Sequence, residues 1–296
     1  MKPVIGIVGL GIMGGAMAEA LLSASYKVIG FDVAKAPRSR LQKTGGRVLP
    51  SCAEVARSAD VLLCSLPSVG ALDQVVEEIA NAGLSKDRPR ILIETSTLPI
   101  EDKERALNRL KGCSIEVLDC PISGTAQRLK ERAWTIFVSG NAKACRKIAP
   151  VLTVLTDKAP YVGAFGNGSR MKFVANHLVA IYNVAVAESM TFGRKLGLDA
   201  AQVWELFAAS PVVGNGVYKL RGRMMIERIY QPATMKIRTW QKDMQVIGDS
   251  ARSADCPLPL FSACVPIYTS AMALGLADAD TASVCSVLEE MTGGVR

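Results

Sequence analysis

Val4-Ile5-Gly6-Ile7-Val8-Gly9-Leu10-Gly11-Ile12-Met13-Gly14 sets an apolar run against three glycines spaced Gly-x-Gly-x-x-Gly. The run reads as a buried strand and the residues after it as the start of a helix. Each glycine then answers a separate need. Gly9 makes the tight turn, Gly11 lets a pyrophosphate approach the backbone, and Gly14 packs helix closely on strand. Unpaired N–H groups at the helix start complete an anion site. The spacing alone is weak, but its context is specific. A second apolar run, Val28-Ile29-Gly30-Phe31, ends at Asp32, about 20 residues on, where a carboxylate accepts hydrogen bonds from ribose hydroxyls. Asp32 repels a 2′-phosphate, so NAD is expected over NADP. Lys35 and Arg38, just beyond it, keep NADP open.

Outward from this stretch, strand and helix patterns alternate. Val61 to Leu66 ends at Pro67, and Ile91 to Ile93 ends at Glu94-Thr95-Ser96. Amphipathic stretches lie between, such as Met13 to Leu22 and Leu72 to Ala80. Continuous apolar strands alternating with helices imply a parallel sheet covered on both faces, an α/β doubly wound domain of the Rossmann type. Ile115 to Leu118 and Thr135 to Val138 are expected to extend the sheet, with Tyr161-Val162 as a last short strand.

After Gly168 no strand pattern returns. Met171 to Leu196 is helical throughout and carries no proline; with its first residues it spans about 40 Å at roughly 1.5 Å per residue. Gly197 stops it, Asp199 caps the next helix with Gln202 three positions on, and Asp280 caps the last. Helices are expected near 235–254, 260–274 and 281–291. The chain thus divides into a dinucleotide-binding domain, 1–162, and an all-helical domain, 163–296, that opens with the long interdomain helix.

The chain has 296 residues, 49% hydrophobic and 21% charged, and a net charge of +8, the profile of a globular protein with a large core. Its basic residues are scattered, so neither nucleic acid nor a membrane surface is an expected partner; the positive balance suits a small anionic substrate. No apolar run is long enough to span a bilayer and no signal peptide is visible. The eight cysteines, including Cys52, Cys64 and Cys120, contain no C-x-x-C pair. They read as buried thiols of a reducing compartment, the cytoplasm. With a single histidine and no ligand cluster, no metal is expected.

Three clusters carry chemistry. Cys120-Pro121-Ile122-Ser123-Gly124-Thr125 follows a strand and offers hydroxyls and backbone N–H groups to a carboxylate, or is a simple Ser-Gly turn. Gly166-Asn167-Gly168-Ser169-Arg170-Met171-Lys172-Phe173-Val174-Ala175-Asn176 places Lys172 and Asn176 one turn apart on one helix face. Trp240-Gln241-Lys242-Asp243 lies late in the helical half. His177 points away from Asn176 and is expected to be structural. Arg128, Lys130 and Arg132 follow the Ser-Gly turn as a charged loop that faces water or a second anionic group.

Taken together, the motifs GLGIMG, DCPISGT, GxGxxxKxxxN and the late Lys-Asp pair resemble, in this order and over essentially the whole chain, the β-hydroxyacid dehydrogenases, which include 3-hydroxyisobutyrate, L-threonate and tartronate semialdehyde enzymes. The resemblance implies Lys172 as catalytic acid/base and Ser123, Gly124, Thr125 and Asn176 around the substrate. It implies cofactor contacts from Gly9, Leu10, Gly11, Ile12, Met13, Gly14 and Asp32, from Leu66 and Pro67, and from Thr97 and Lys242. The expected reaction is NAD-dependent oxidation of a small β-hydroxyacid to its semialdehyde or keto acid, with Lys172 exchanging the hydroxyl proton. An NADPH-dependent reductase of glyoxylate, succinic or tartronate semialdehyde is the alternative, and a non-enzymatic nucleotide-binding module would be expected to have lost Lys172. Thr125 stands where many relatives have glycine, His177 where many have asparagine, and Cys120 where alanine is common; these departures touch substrate identity. The resemblance also implies a homodimer or homotetramer.

Overall fold

The structure, a computed structural model, describes residues 2–88, 90–129 and 131–294, without the side chains of 127 and 128. The chain divides into two compact units, Met1–Lys172 and Phe173–Arg296. The division falls within a helix, between Lys172 and Phe173. The physical reason is local: the first turn of that helix is bonded into the amino-terminal unit, as described below.

The amino-terminal unit is a six-stranded parallel sheet of β1 (Ile5–Val8), β2 (Val28–Phe31), β3 (Arg47–Val48), β4 (Val61–Cys64), β5 (Arg90–Glu94) and β6 (Ile115–Asp119), in the order β3-β2-β1-β4-β5-β6. This order reverses between β1 and β4, the crevice where nucleotides bind in such sheets. Side chains alternate across the strands. Ile5, Ile7, Val61, Leu63 and Ile93 enter one core, with helices α1 (Ile12–Ser23), α2 (Lys35–Lys43) and α6 (Ala142–Leu155). Val8, Leu62, Cys64, Leu92 and Val117 enter the other, with α3 (Cys52–Ser58), α4 (Val69–Ala80) and α5 (Ile100–Leu110). Burial on both faces is why these strands read as unbroken apolar runs. Short polar side chains start the helices: Ser51 Oγ accepts from Glu54 N at 3.2 Å, Ser68 Oγ from Ala71 N at 3.2 Å, and Asn141 Oδ1 from Lys143 N at 2.9 Å.

One expectation fails here. The segment from Thr135 does not extend the sheet. Thr135–Ile136 (β8) pairs antiparallel with Ile122–Ser123 (β7) in a separate two-stranded ribbon. After β6 the chain turns back on itself, and an antiparallel bridge between Asp119 and Ser139 ties the return segment beside the end of β6. Tyr161 forms only a single parallel bridge, to Val138.

Helix α7 (Asn167–Lys195) is followed by α8 (Ala200–Ala209), α9 (Arg223–Glu227), α10 (Ile237–Ser253), α11 (Pro259–Ala273) and α12 (Val284–Met291), with a π-helical turn at Tyr218–Gly222 and a 3-10 turn at Thr281–Ser283. Asp199 caps α8 as expected, accepting from Ala201 N at 3.1 Å; Asp280, expected to cap the last helix, caps the 3-10 turn that leads into it, accepting from Ala282 N at 3.0 Å. Asn183 crosslinks the carboxy-terminal unit, donating to Tyr268 Oη at 3.0 Å and Thr281 O at 2.7 Å. Among the described residues no helix is long and apolar enough to cross a membrane, and no group of His, Cys, Asp and Glu is placed to hold a metal ion.

Candidate active site

The glycine turn is built as its spacing demands. Gly9 has φ +85°, and a Cβ there would stand 2.2 Å from Ser65 O at the end of β4; one on Gly14 would stand 1.8 Å from Gly9 O. A side chain is excluded at both places. Gly11 differs: nothing lies within 4 Å of the Cβ it lacks. No side chain caps α1, and no acidic residue occupies its first turn. An exposed glycine backbone and an uncapped, acid-free helix start fit a pyrophosphate. Leu10 is buried behind the turn, while Ile12 is 53% exposed on its outer side.

Asp32 is held from two sides. Leu10 N donates to its Oδ2 at 2.7 Å and Ala34 N to its Oδ1 at 2.8 Å. These bonds lock the end of β2 to the glycine turn and fix the carboxylate at the carboxyl end of the strand. Each carboxylate oxygen has a second lone-pair direction, so a ribose hydroxyl can still donate to it. The neighbouring loops are also joined. Leu66 N donates to Ser96 Oγ at 2.8 Å, coupling Leu66-Pro67 to Ser96-Thr97.

Ser123, Gly124 and Thr125 lie on and just after β7. Gly124 has φ +145°, and a Cβ there would meet Trp134 Cδ1 at 2.5 Å. Trp134 is fully buried and donates from Nε1 to Thr125 O at 2.6 Å, so the indole sets the course of this loop. Arg132, expected in a charged loop after it, pairs with Asp157 and donates to Thr153 O at 2.6 Å. Lys130 and the Arg128 side chain lie outside the described residues.

Lys172 is only 7% exposed. The start of its helix is docked by residues far away in sequence. Ser169 N donates to Asp119 Oδ2 at 2.8 Å, Ser169 Oγ to Asp119 Oδ1 at 2.8 Å, and Gly168 N to Ser139 Oγ at 3.0 Å. A side chain on Gly168 would collide with Phe137 O at 2.5 Å and Asp119 O at 2.6 Å. Asp119 is therefore a long-range cap, its negative charge placed on the positive end of α7.

Behind Asp119 sits Lys103, 1% exposed. Its Nζ lies 2.6 Å from Glu94 Oε2 and 2.8 Å from Asp119 Oδ1. The same ammonium donates to Ser96 O at 2.6 Å and Ser169 Oγ at 3.0 Å. Burial works against its charge, but the two carboxylates outweigh it and hold Lys103 above the usual lysine value. Burial likewise pushes Asp119 up, and Lys103 with the Ser169 donors more than reverses this, holding it below the usual carboxylate range. The local sequence pattern marks no role for Lys103, Asp119 or Ser169. One signal was there: Lys103 falls on the same face of α5 as the buried Ala106 and Leu110, where an apolar residue is expected.

In the carboxy-terminal unit, two of the expected residues meet through a third. Asn176 Nδ2 donates to Asp243 Oδ2 at 3.1 Å, and Lys242 Nζ lies 2.8 Å from Asp243 Oδ1. Asn176 and Asp243 are 3% exposed. The bond to Asp243 uses one of the two N–H donors of the Asn176 amide, whose other N–H and carbonyl add further bonding capacity. His177 stacks on Phe261, ring centres 5.6 Å apart, which fits a packing role.

The family described as the NAD binding domain of 6-phosphogluconate dehydrogenase matches residues 4–163, and that described as the NAD-binding domain of NADP-dependent 3-hydroxyisobutyrate dehydrogenase matches residues 166–288. The chain is similar to L-threonate dehydrogenase of Cupriavidus necator, 28% identical over 96% of this chain and 95% of that one. It is also similar to the mitochondrial 3-hydroxyisobutyrate dehydrogenase of Drosophila melanogaster, 26% identical over 97% of this chain and 89% of that one. Among solved structures it resembles 3-hydroxyisobutyrate dehydrogenase of Mycobacterium tuberculosis with L-serine, at 26% identity and a TM-score of 0.83, covering 97% of this chain and 99% of that one.

Proposed function

The chain belongs to the β-hydroxyacid dehydrogenase family of NAD(P)-dependent oxidoreductases acting on CH–OH groups, and from that premise we propose that it oxidises a small 3-hydroxyisobutyrate-like acid with Lys172 as general acid/base. The observation that carries this reading is Lys172 itself. It is a lysine buried to 7% exposure, three residues beyond Ser169, which Asp119 holds in the first turn of α7. Lysines are seldom this buried.

The bound nicotinamide supplies the hydride acceptor. Glycines Gly9, Gly11 and Gly14, with the start of α1, hold its pyrophosphate, and Asp32 holds the ribose; Leu66, Pro67, Thr97 and Lys242 are assigned to its remaining contacts. Neutral Lys172 takes the proton from the substrate hydroxyl as its carbon is oxidised. In reduction the protonated amine returns it. Ser123, Gly124 and Thr125 receive the substrate carboxylate, and Asn176, oriented by Asp243, donates to the substrate. The fixed Asp32 carboxylate supports NAD, since a 2′-phosphate would meet it directly. Lys35, at the start of α2, supports the alternative of an NADPH-dependent semialdehyde reductase.

A panel of β-hydroxyacids and semialdehydes, each with both cofactors, separates the two readings. Lys172→Ala tests the acid/base assignment: turnover should fall by about 10²–10⁴-fold while NADH still binds. Retained turnover sinks the assignment.

The family relationship also supports a homodimer or homotetramer. Val174, Leu178, Tyr182 and Phe192 recur at helical spacing along α7, with Leu196 just past its end, and are 64%, 42%, 40%, 63% and 61% exposed. We assign this stripe to a second copy of the chain. Light scattering should give a multiple of 31.5 kDa, and Phe192→Glu should lower it. A monomeric parent protein overturns this assignment. All eight cysteines are free, which supports a reducing compartment, the cytoplasm.

A further inference from the structure

We propose that Lys103 is a positioning residue for the reaction: its buried ammonium gathers the ends of β5 and β6 and the start of α7 into one bonded unit, and through Ser169 sets where Lys172 stands. The inference rests on the reading of Lys172 as acid/base and extends it to residues outside the binding loops.

The geometry is that of a hub. Four oxygens lie within 3.0 Å of Lys103 Nζ: Glu94 Oε2, Ser96 O, Asp119 Oδ1 and Ser169 Oγ. An ammonium has three N–H donors, fewer than the oxygens around it, so each donor has an acceptor within reach. Each oxygen belongs to a segment with a part in the proposed site. Ser96 precedes Thr97 and holds Leu66 N through its hydroxyl. Asp119 begins the stretch that leads to Ser123 and Gly124. Ser169 is three residues before Lys172 and therefore on the same side of α7. Glu94 closes the set, accepting from Ser96 N at 2.9 Å.

Core stability alone does not explain this cluster. A buried ion group gains little over well-packed apolar residues of the same volume, which often do better. What it adds is direction. Asp119 can accept from Ser169 N and Oγ only when the helix start has one particular height and rotation. Lys103 keeps Asp119 charged and pointed there. A displacement of about 1 Å in a catalytic group costs as much as 10²-fold in rate.

Ser169→Ala removes one hydroxyl from the cluster and leaves every charge in place. It should lower kcat on the order of tenfold or more, while the cofactor KM and NADH affinity stay within about twofold. Lys103→Met should do the same more severely; where it does not fold, Ser169→Ala decides. A Ser169→Ala enzyme with wild-type kcat overturns the proposal. So does one whose kcat and cofactor affinity fall together, because that reports general loosening. Lys172→Ala, assayed beside it, separates the two claims. If Lys172→Ala retains turnover, the acid/base reading fails; if it loses turnover while Ser169→Ala keeps it, positioning alone fails.

Discussion

Asp119 in the amino-terminal unit and Asp280 in the carboxy-terminal unit solve the same electrostatic problem in different ways. Both are 0% exposed, both face a buried cation, and both accept from the first N–H groups of a helical turn. Asp280 serves its own neighbourhood: Ala282 N, two residues on, donates at 3.0 Å, and Thr234 N at 2.7 Å closes the loop before α10. Arg221 stands 3.5 Å away. Asp119 serves a helix 50 residues later and shares Lys103 with a second carboxylate. A local cap only has to end a loop. A distant one fixes the first turn of α7 beside the end of β6, so the same chemistry closes a loop at Asp280 and docks a helix start at Asp119.

The largest effect that sharpens this contrast comes from removing the cations. Lys103→Met leaves Glu94 and Asp119 buried without their counter-ion, a loss of about 3–5 kcal/mol in stability. Arg221→Met leaves Asp280 with the N–H groups of Thr234, Met235 and Ala282, and should cost less, about 1–3 kcal/mol. Urea unfolding followed by tryptophan fluorescence reads both, because Trp134 lies in one unit and Trp204 and Trp240 in the other. Turnover should collapse in the first variant and survive in the second. Equal losses of stability and activity would break the contrast.

Sequence distance also decided what could be read in advance. The glycine turn, Asp32, the Asp199 and Asp280 caps and the spacing of Lys172 and Asn176 all depend on a short stretch of chain and its secondary structure. They are legible because backbone geometry alone fixes which groups meet. Lys103, Asp119 and Ser169 are separated by 16 and 50 residues, and Asn176 and Asp243 by 67. Their meeting is a property of the sheet order and of helix packing, and nothing in local spacing reports it. The expected placement of Thr135 fails for the same reason. Its apolar pattern suits a strand, but the choice between β6 and β7 as partner lies in the turn after Asp119. The two-residue strand Arg47–Val48, with an exposed and a half-buried side chain, gave no periodic signal at all.

The smallest effect is the most discriminating, because it separates charge from position. For both acids burial raises the pKa, but the neighbouring cation and the N–H donors lower it further, so the folded value lies below the unfolded one. The stabilisation is therefore complete above the unfolded carboxylate value of about 3.9 and is lost as pH falls through the folded value. Asp119→Asn and Asp280→Asn should each lower the melting temperature by a constant amount from about pH 5 to 8, and the difference from wild type should shrink below about pH 4. In that respect the two sites behave alike. They should part in turnover. Asp280→Asn keeps its kcat wherever it remains folded, because the bonds it loses are those of Thr234, Met235 and Ala282 and not those of the start of α7. Asp119→Asn loses kcat even at neutral pH, where it is folded, because an amide cannot accept from Ser169 N, Ser169 Oγ and Lys103 together in the same orientation. If the Asp119→Asn enzyme turned over normally wherever it remained folded, Asp119 would be a cap of the same kind as Asp280, and the distance between it and α7 would carry no functional meaning.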